Sequence, residues 1–236
     1  MMHGRRPKGR GPVARAAGAR RRTGGATKAK STMNTRSILS ATAVLAVFAT
    51  TSFGQAADPA AASGGSVFAD FSLWSPDVQL AEPTDSVDAF RLAFYGRNAD
   101  VTGLDVNVAG FAEGDVKGVQ LSLGYSQVDG DFYGVQSCWP FSLASWVKGA
   151  CYGFDVGLVN IVGKELFGFQ LGVWNQTGGE ATGLQLGVVN VAGSLNGVQA
   201  GVVNISRGGY GLQIGLVNFI DGSDVFDVLP FVNFKF

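Results

Sequence analysis

The sequence predicts an all-β fold: an antiparallel meander closed as a β-barrel of about 10–12 strands, with a β-solenoid as the alternative. Three observations carry this expectation. A unit of the form Gly-apolar-Gln-apolar-Gly-apolar-Val-Asn recurs, as in Gly183–Asn190, Gly197–Asn204 and Gly211–Asn218, with looser copies starting at Gly103, Gly118, Gly134, Gly153 and Gly168. Successive starts are 15, 16, 19, 15, 15, 14 and 14 residues apart, room for a strand and a turn. Inside each unit apolar and polar residues alternate with period two, the mark of a strand with two unlike faces. The chain also ends on an alternating run, Phe226, Val228, Pro230, Val232, Phe234 and Phe236, which suits the closing strand of a barrel.

The first segment is set apart by charge. Of 18 basic residues, 11 lie in residues 1–36, where there is no acid, so the rest of the chain carries 7 − 18 = −11. Met33 to Arg36 is a short basic start, Ile38 to Phe48 is apolar, and Gly54-Gln55-Ala56 offers small residues for cleavage. This is the layout of a secretory signal peptide over residues 33–56, and its apolar run is too short to cross a bilayer as a helix. Residues 1–32 then read as a mis-called extension. A nucleic-acid-binding tail has no sense upstream of an export signal, so no nucleic-acid partner is expected. Export leaves a chain starting near Ala57, with an Ala/Gly/Ser linker over 57–66 and one repeat-built domain over 67–236.

Candidate strands are Val67–Trp74, Val87–Arg97, Gly103–Ala109, Gly118–Gln127, Gly134–Phe141, Cys151–Asn160, Gly168–Asn175, Gly183–Val191, Gly197–Ile205, Gly211–Ile220 and Phe226–Phe236. Glycine and aspartate punctuate them, as in Asp129-Gly130-Asp131 and Asp221-Gly222-Ser223-Asp224. One face of these strands is apolar and uncharged: Leu104/Val106, Val119/Leu121, Phe154/Val156, Leu184/Leu186, Leu212/Ile214. The other carries Asp105, Gln120, Gln136, Asp155, Gln170, Gln185, Gln199 and Gln213, and the parity places Arg91 and Arg97 there too. Gln and Gly make a poor coat in bulk water but suit the lumen of a barrel whose outside meets lipid. Phe234 and Phe236 then form an assembly signal on the strand that closes the wall. The partners implied are outer-membrane lipid and the barrel-assembly machinery, and the location is the bacterial outer membrane. In the alternative, a secreted or surface-exposed solenoid acts as an adhesin or binding surface, with Gln and Asn stacked in ladders.

The repeat units, with Phe71-Ser72-Leu73-Trp74-Ser75-Pro76 and Phe94-Tyr95-Gly96-Arg97-Asn98, resemble those of a family of uncharacterised bacterial exported proteins with surface repeats. The likeness covers roughly 67–236. It implies a cell-envelope location and no catalytic residue or ligand. Some members look like lipoproteins, and this chain departs from them in lacking a Cys at the cleavage point.

Little catalytic chemistry is available. The one histidine is His3, in the discarded segment, so the exported part has no Ser-His-Asp, Cys-His or His-containing metal machinery. No phosphate loop or nucleophile elbow occurs. Neither an enzyme nor a cofactor is expected. Asp129/Asp131 and Asp221/Asp224 read as solvated turn residues, not cation ligands. Cys138 and Cys151 are a candidate disulfide in an oxidising compartment. Trp139 and Trp146 are candidate anchors at a membrane interface. The repeated Gln and Asn residues line a pore or ligand surface in one reading. In the other they satisfy one another inside a narrow interior, with Asn at strand ends.

Overall fold

The computed structural model describes residues 64–137 and 143–236, all within the compact unit Asp58–Phe236. The strands are β1 (Ser66–Trp74), β2 (Val78–Gln79), β3 (Ser86–Asn98), β4 (Val101–Ala112), β5 (Val116–Val128), β6 (Phe132–Ser137), β7 (Ala144–Val147), β8 (Cys151–Val156), β9 (Val159–Val162), β10 (Leu166–Ala200), β11 (Val203–Ser206), β12 (Gly209–Ile220) and β13 (Val228–Lys235). They coil into a β-solenoid of about nine turns. Each turn has two short arms joined by a bend. The first arms stack in the order β3, β4, β5, β6, β8, β10, and the second arms in the order β5, β7, β9, β10, β11, β12. All of these pairings are parallel. The 35 residues of β10 run through more than two turns without a break.

The register stacks each repeat on the next. Gly103 lies opposite Gly118, Gly118 opposite Gly134, Gly134 opposite Gly153, Gly153 opposite Gly168, and Gly197 opposite Gly211. Like residue therefore meets like residue at the spacing of one strand, ~4.8 Å. The first glycine of the unit is required by geometry. Gly168 has φ +142°, and a Cβ there would lie 2.0 Å from the carbonyl oxygen of Gly153.

The expected antiparallel barrel is corrected by these pairings. A meander needs consecutive strands antiparallel and the last strand paired with the first. Among the described residues antiparallel pairing is confined to the two ends, β1 with β2 and β12 with β13. β2 and β13 sit at opposite ends of the sheet order, so the last strand closes no wall. The physical reason lies in the repeat itself. Near-identical units stacked in parallel let buried amides pair donor to acceptor with the next rung, which alternating strand directions do not offer. Phe234 lies in a capping strand and Phe236 just past its end: their rings stack at 5.6 Å, and Phe236 is exposed. Pro230 and a register shift between Gly215 and Asn218 blunt the outer edge of that cap against further pairing.

Inside the coil, an apolar column runs beside the turns between repeats: Val87, Val101, Val116, Phe132, Cys151, Leu166, Ala181 and Leu195. Toward the bend the interior becomes polar. In the turn that starts at Leu166, the inward residues are Leu166, Gln170, Asn175 and Thr177, each at most 1 % exposed. Among the described residues no helix is long and apolar enough to cross a membrane.

Candidate functional site: buried amide ladders and an apolar outer face

The glutamine of each repeat points inward and stacks on its neighbours. Gln185 Nε2 donates to Gln170 Oε1, Gln199 Nε2 to Gln185 Oε1, and Gln213 Nε2 to Gln199 Oε1, each at 2.7 Å. Gln170 Nε2 reaches Asp155 Oδ2 at 3.3 Å, and Gln120 Nε2 reaches Asp105 Oδ2 at 2.7 Å. Each of these rung-to-rung bonds runs toward the N-terminal turns, and a carboxylate receives the chain of bonds. Between Gln120 and Asp155 the ladder is broken. Gln136 Nε2 turns aside to Ser126 Oγ, and the Oε1 atoms of Gln120 and Gln136 are buried without a partner.

The asparagine forms a second ladder at the bend. Asn160, Asn175, Asn190, Asn204 and Asn218 are linked Nδ2 to Oδ1 at 2.8 Å, each Nδ2 also donating to a backbone carbonyl. Here donors point toward the C-terminal turns, so the amide dipoles of the two columns oppose one another. The second glycine of the repeat makes room for this ladder. A Cβ on Gly172 would lie 2.6 Å from Asn160 Nδ2 and 2.4 Å from Gly157 O. The whole unit is thereby explained: one glycine for positive φ, glutamine for the first ladder, a second glycine for space, asparagine for the second ladder. An isolated buried amide costs about 1–3 kcal/mol when unpartnered, and stacking removes that cost at each paired rung.

At the N-terminal end the column becomes ionic. Arg91 is fully buried and holds Asp105 with two bonds, Nε to Oδ1 at 2.8 Å and Nη2 to Oδ2 at 2.6 Å. Its Nη1 donates to Asn98 Oδ1 and to the carbonyl of Phe111. Asp70 lies opposite Arg91 in register and accepts from Ser72, Gln79 and the backbone N–H of Ala81. At the other end Asn233 of the cap is buried opposite Gln213.

The structure places Arg91, Asp105, Gln120, Gln136, Asp155, Gln170, Gln185, Gln199 and Gln213 in this interior, in one file. They line a packed core, with no lumen between them. Arg97 is corrected: it lies on the outer face in an ion pair with Glu113. The bend in β3 shifts the parity by one, so inward positions are Arg91 and Ala93 before it and Gly96 and Asn98 after it. The asparagines, expected at strand ends in a barrel, stand instead within the stacked arms. Their constant place three residues after the second glycine is the signal of a ladder. Asp70 has no such signal, because it precedes the repeats.

Asp155 differs from Asp105 in having no cation. Burial raises its pKa from 3.8 to about 6, opposed by hydrogen bonds from Ser145 and Gln170. The folded state thus holds a proton that the unfolded chain gives up. The resulting stabilisation is complete below pH 3.8 and is lost as pH rises to about 6, a change of roughly 3 kcal/mol at 1.36 kcal/mol per unit. Asp155→Asn is expected to flatten this slope and to stabilise the protein at pH 7. Urea unfolding of both proteins at pH 4 and pH 7 checks it, and parallel pH dependences would contradict the assignment.

Cys151 carries a free, fully buried thiol whose pKa is raised well above the usual value, first by burial and then by Asp155. Cys138, its expected disulfide partner, lies outside the described residues, as does Trp139. The register puts Ser137 opposite Val156, five residues along from Cys151. Trp146 is half-buried on the outer face of β7.

The outside of the coil is apolar. Leu123 and Phe154 are each 54 % exposed and Leu216 is 60 % exposed, and between turns no exposed charge interrupts residues 132–137, 143–147, 151–162, 166–179, 181–206 and 209–220. The charges gather along the edge where one turn passes to the next: Asp100, Glu113, Asp115, Asp129, Asp131, Lys148, Lys164, Glu165, Glu180 and Arg207. Among the described residues no group of three or more His, Cys, Asp or Glu side chains converges as a metal site. No protein-family profile, curated protein or solved structure matches this chain.

Proposed function

We propose that this chain is an exported, surface-exposed β-solenoid that serves as a binding surface. The observation that carries this reading is its inverted polarity. Amides and carboxylates fill the interior toward the bend, while large apolar side chains form continuous columns outside. Contiguous apolar patches of more than a few hundred Å² are rare on proteins that work alone in water, and they mark contact surfaces. The ladders supply the stiffness such a surface needs, since each turn is bonded to its neighbours through backbone and side chain alike. The basic, then apolar, then small-residue segment over 33–56 supports export.

Labelling of intact cells with a membrane-impermeant amine reagent tests this reading. Lys117 and Lys148 have side chains 56 % and 45 % exposed on the charged edge. Both are expected to be modified before lysis. Modification only after the cells are broken would remove the surface location.

A further inference from the structure

The surface proposed above has a distribution of polarity that identifies its partner. On the first arm the residues nearest the charged edge are mixed aromatic and polar. There Lys117, Tyr133, Tyr152 and Phe167 share one column, with Tyr133, Tyr152 and Phe167 stacked at 4.8 and 5.2 Å. The matching column on the second arm mixes Arg97, Gln127 and Gln176 with Phe111, Trp146 and Ile161, and is apolar in the last turns at Val191, Ile205 and Phe219. Beyond them both arms are apolar. At the bend, five residues after six of the repeat glycines, stand Leu123, Leu158, Val173, Val188, Val202 and Leu216. All six are among the exposed large apolar residues.

Polarity therefore falls from edge to bend on the first arm, and the second arm is apolar over most of its breadth. A second copy of the chain would cover one broad face and leave the other, with the bend, in water. A hydrocarbon medium covers both faces and the bend at once and leaves the edge outside. Dimensions agree with this. From Phe169 to Val173 the chain advances four strand rises, ~13 Å, close to one leaflet of a hydrocarbon core that is ~30 Å thick. Tyrosine and tryptophan beside the charged edge match the interfacial preference of those side chains. Backbone groups in the body of the coil are bonded between turns, as burial in lipid demands.

We infer that the solenoid lies edge-on in one membrane leaflet, axis parallel to the membrane plane, with its acidic edge among the headgroups and its bend in the acyl chains, without crossing the bilayer. This rests on the surface reading above. The excess of acid on the edge favours zwitterionic over anionic lipid.

The experiment is flotation of the purified exported chain with phosphatidylcholine vesicles in high salt. The unaltered chain is expected to float with the vesicles, and its tryptophan emission to be quenched by lipids brominated on the acyl chains. Val173→Lys with Leu216→Lys is expected to lower vesicle partitioning by at least about tenfold, since a cation is strongly disfavoured in the apolar layer. Thr102→Lys, opposite Lys117 beside the charged edge, is expected to bind as the unaltered chain does. Circular dichroism checks that each variant keeps its strands. Absence of both flotation and quenching in the unaltered chain overturns the inference. So does a lipid-free dimer that stays out of vesicles and is dissociated by the two lysines, which would make the occupant a second copy. Surface labelling in cells without vesicle binding would remove lipid alone and leave the surface reading standing.

Discussion

Arg91→Met is expected to destabilise the N-terminal turns by about 3–5 kcal/mol, the usual result of removing one partner from a buried ion pair. Arg91 and Asp105 are both fully buried and joined by two hydrogen bonds. With the guanidinium gone, Asp105 keeps only the amides of Asn107 and Gln120, at 2.9 and 2.7 Å, to balance a full negative charge. A methionine fills part of the volume but supplies no donor to Asn98 Oδ1 or to the carbonyl of Phe111. The effect should be local, because in a solenoid each turn contacts only its neighbours. Amide exchange is expected to accelerate in β1, β3 and β4 while the turns built on Asn175 to Asn218 stay protected. Adding Asp105→Asn should restore most of the loss, by turning the ion pair into one more rung of amides. Uniform acceleration along the chain, or no rescue, would argue that the pair does not hold the first turns.

Gly168→Ala is expected to cost about 3–5 kcal/mol, combining a backbone conformation that L residues rarely adopt with overpacking. Its Cβ would meet the Gly153 carbonyl at 2.0 Å for the oxygen and 2.9 Å for the carbon, and both atoms belong to a stacked backbone that cannot swing aside. Gly208 is the control: nothing lies within 4 Å of a Cβ built there. Gly208→Ala should change stability by no more than about 0.5 kcal/mol. Thermal unfolding of the two variants under one condition separates repeat glycines that are geometrically required from those that only fill turns. Equal midpoints would mean that the glycine file is not held by close contact.

The two faces of each strand are legible in the residue alternation alone. Strict alternation puts Gln185 with Gln199 and Gln213 on one side, Leu186 and Ile214 on the other, and assigns the glutamine side inward and the leucine side outward. Both assignments hold in the solenoid, because alternation reports the pleat and not the partner strand. The same reasoning fails at Arg97. Counting by twos from Arg91 assumes a straight strand, and the bend between Ala93 and Gly96 moves the inward position by one. The Asn column is legible in the solenoid alternative, which stacks Gln and Asn in ladders, and is missed only in the barrel reading. There an asparagine at the end of an apolar run reads as a turn residue, whereas the turn stacked on it shows that its Nδ2 bridges to the next asparagine and to a carbonyl.

By itself the sequence determined the all-β class, the 14–16-residue repeat, the inward file of glutamines and the largely apolar outer face. A repeat of that length accommodates a spanning strand with its hairpin turn or one coil of two short arms, and period-two alternation is identical in both. The tertiary structure decided between them through pairing direction. Parallel stacking brings equivalent amides together at ~4.8 Å, where each donor finds an acceptor on the next rung. In an antiparallel wall the neighbouring repeat runs the other way, and the amides of Gln170, Gln185 and Gln199 would have no such continuous file to satisfy them.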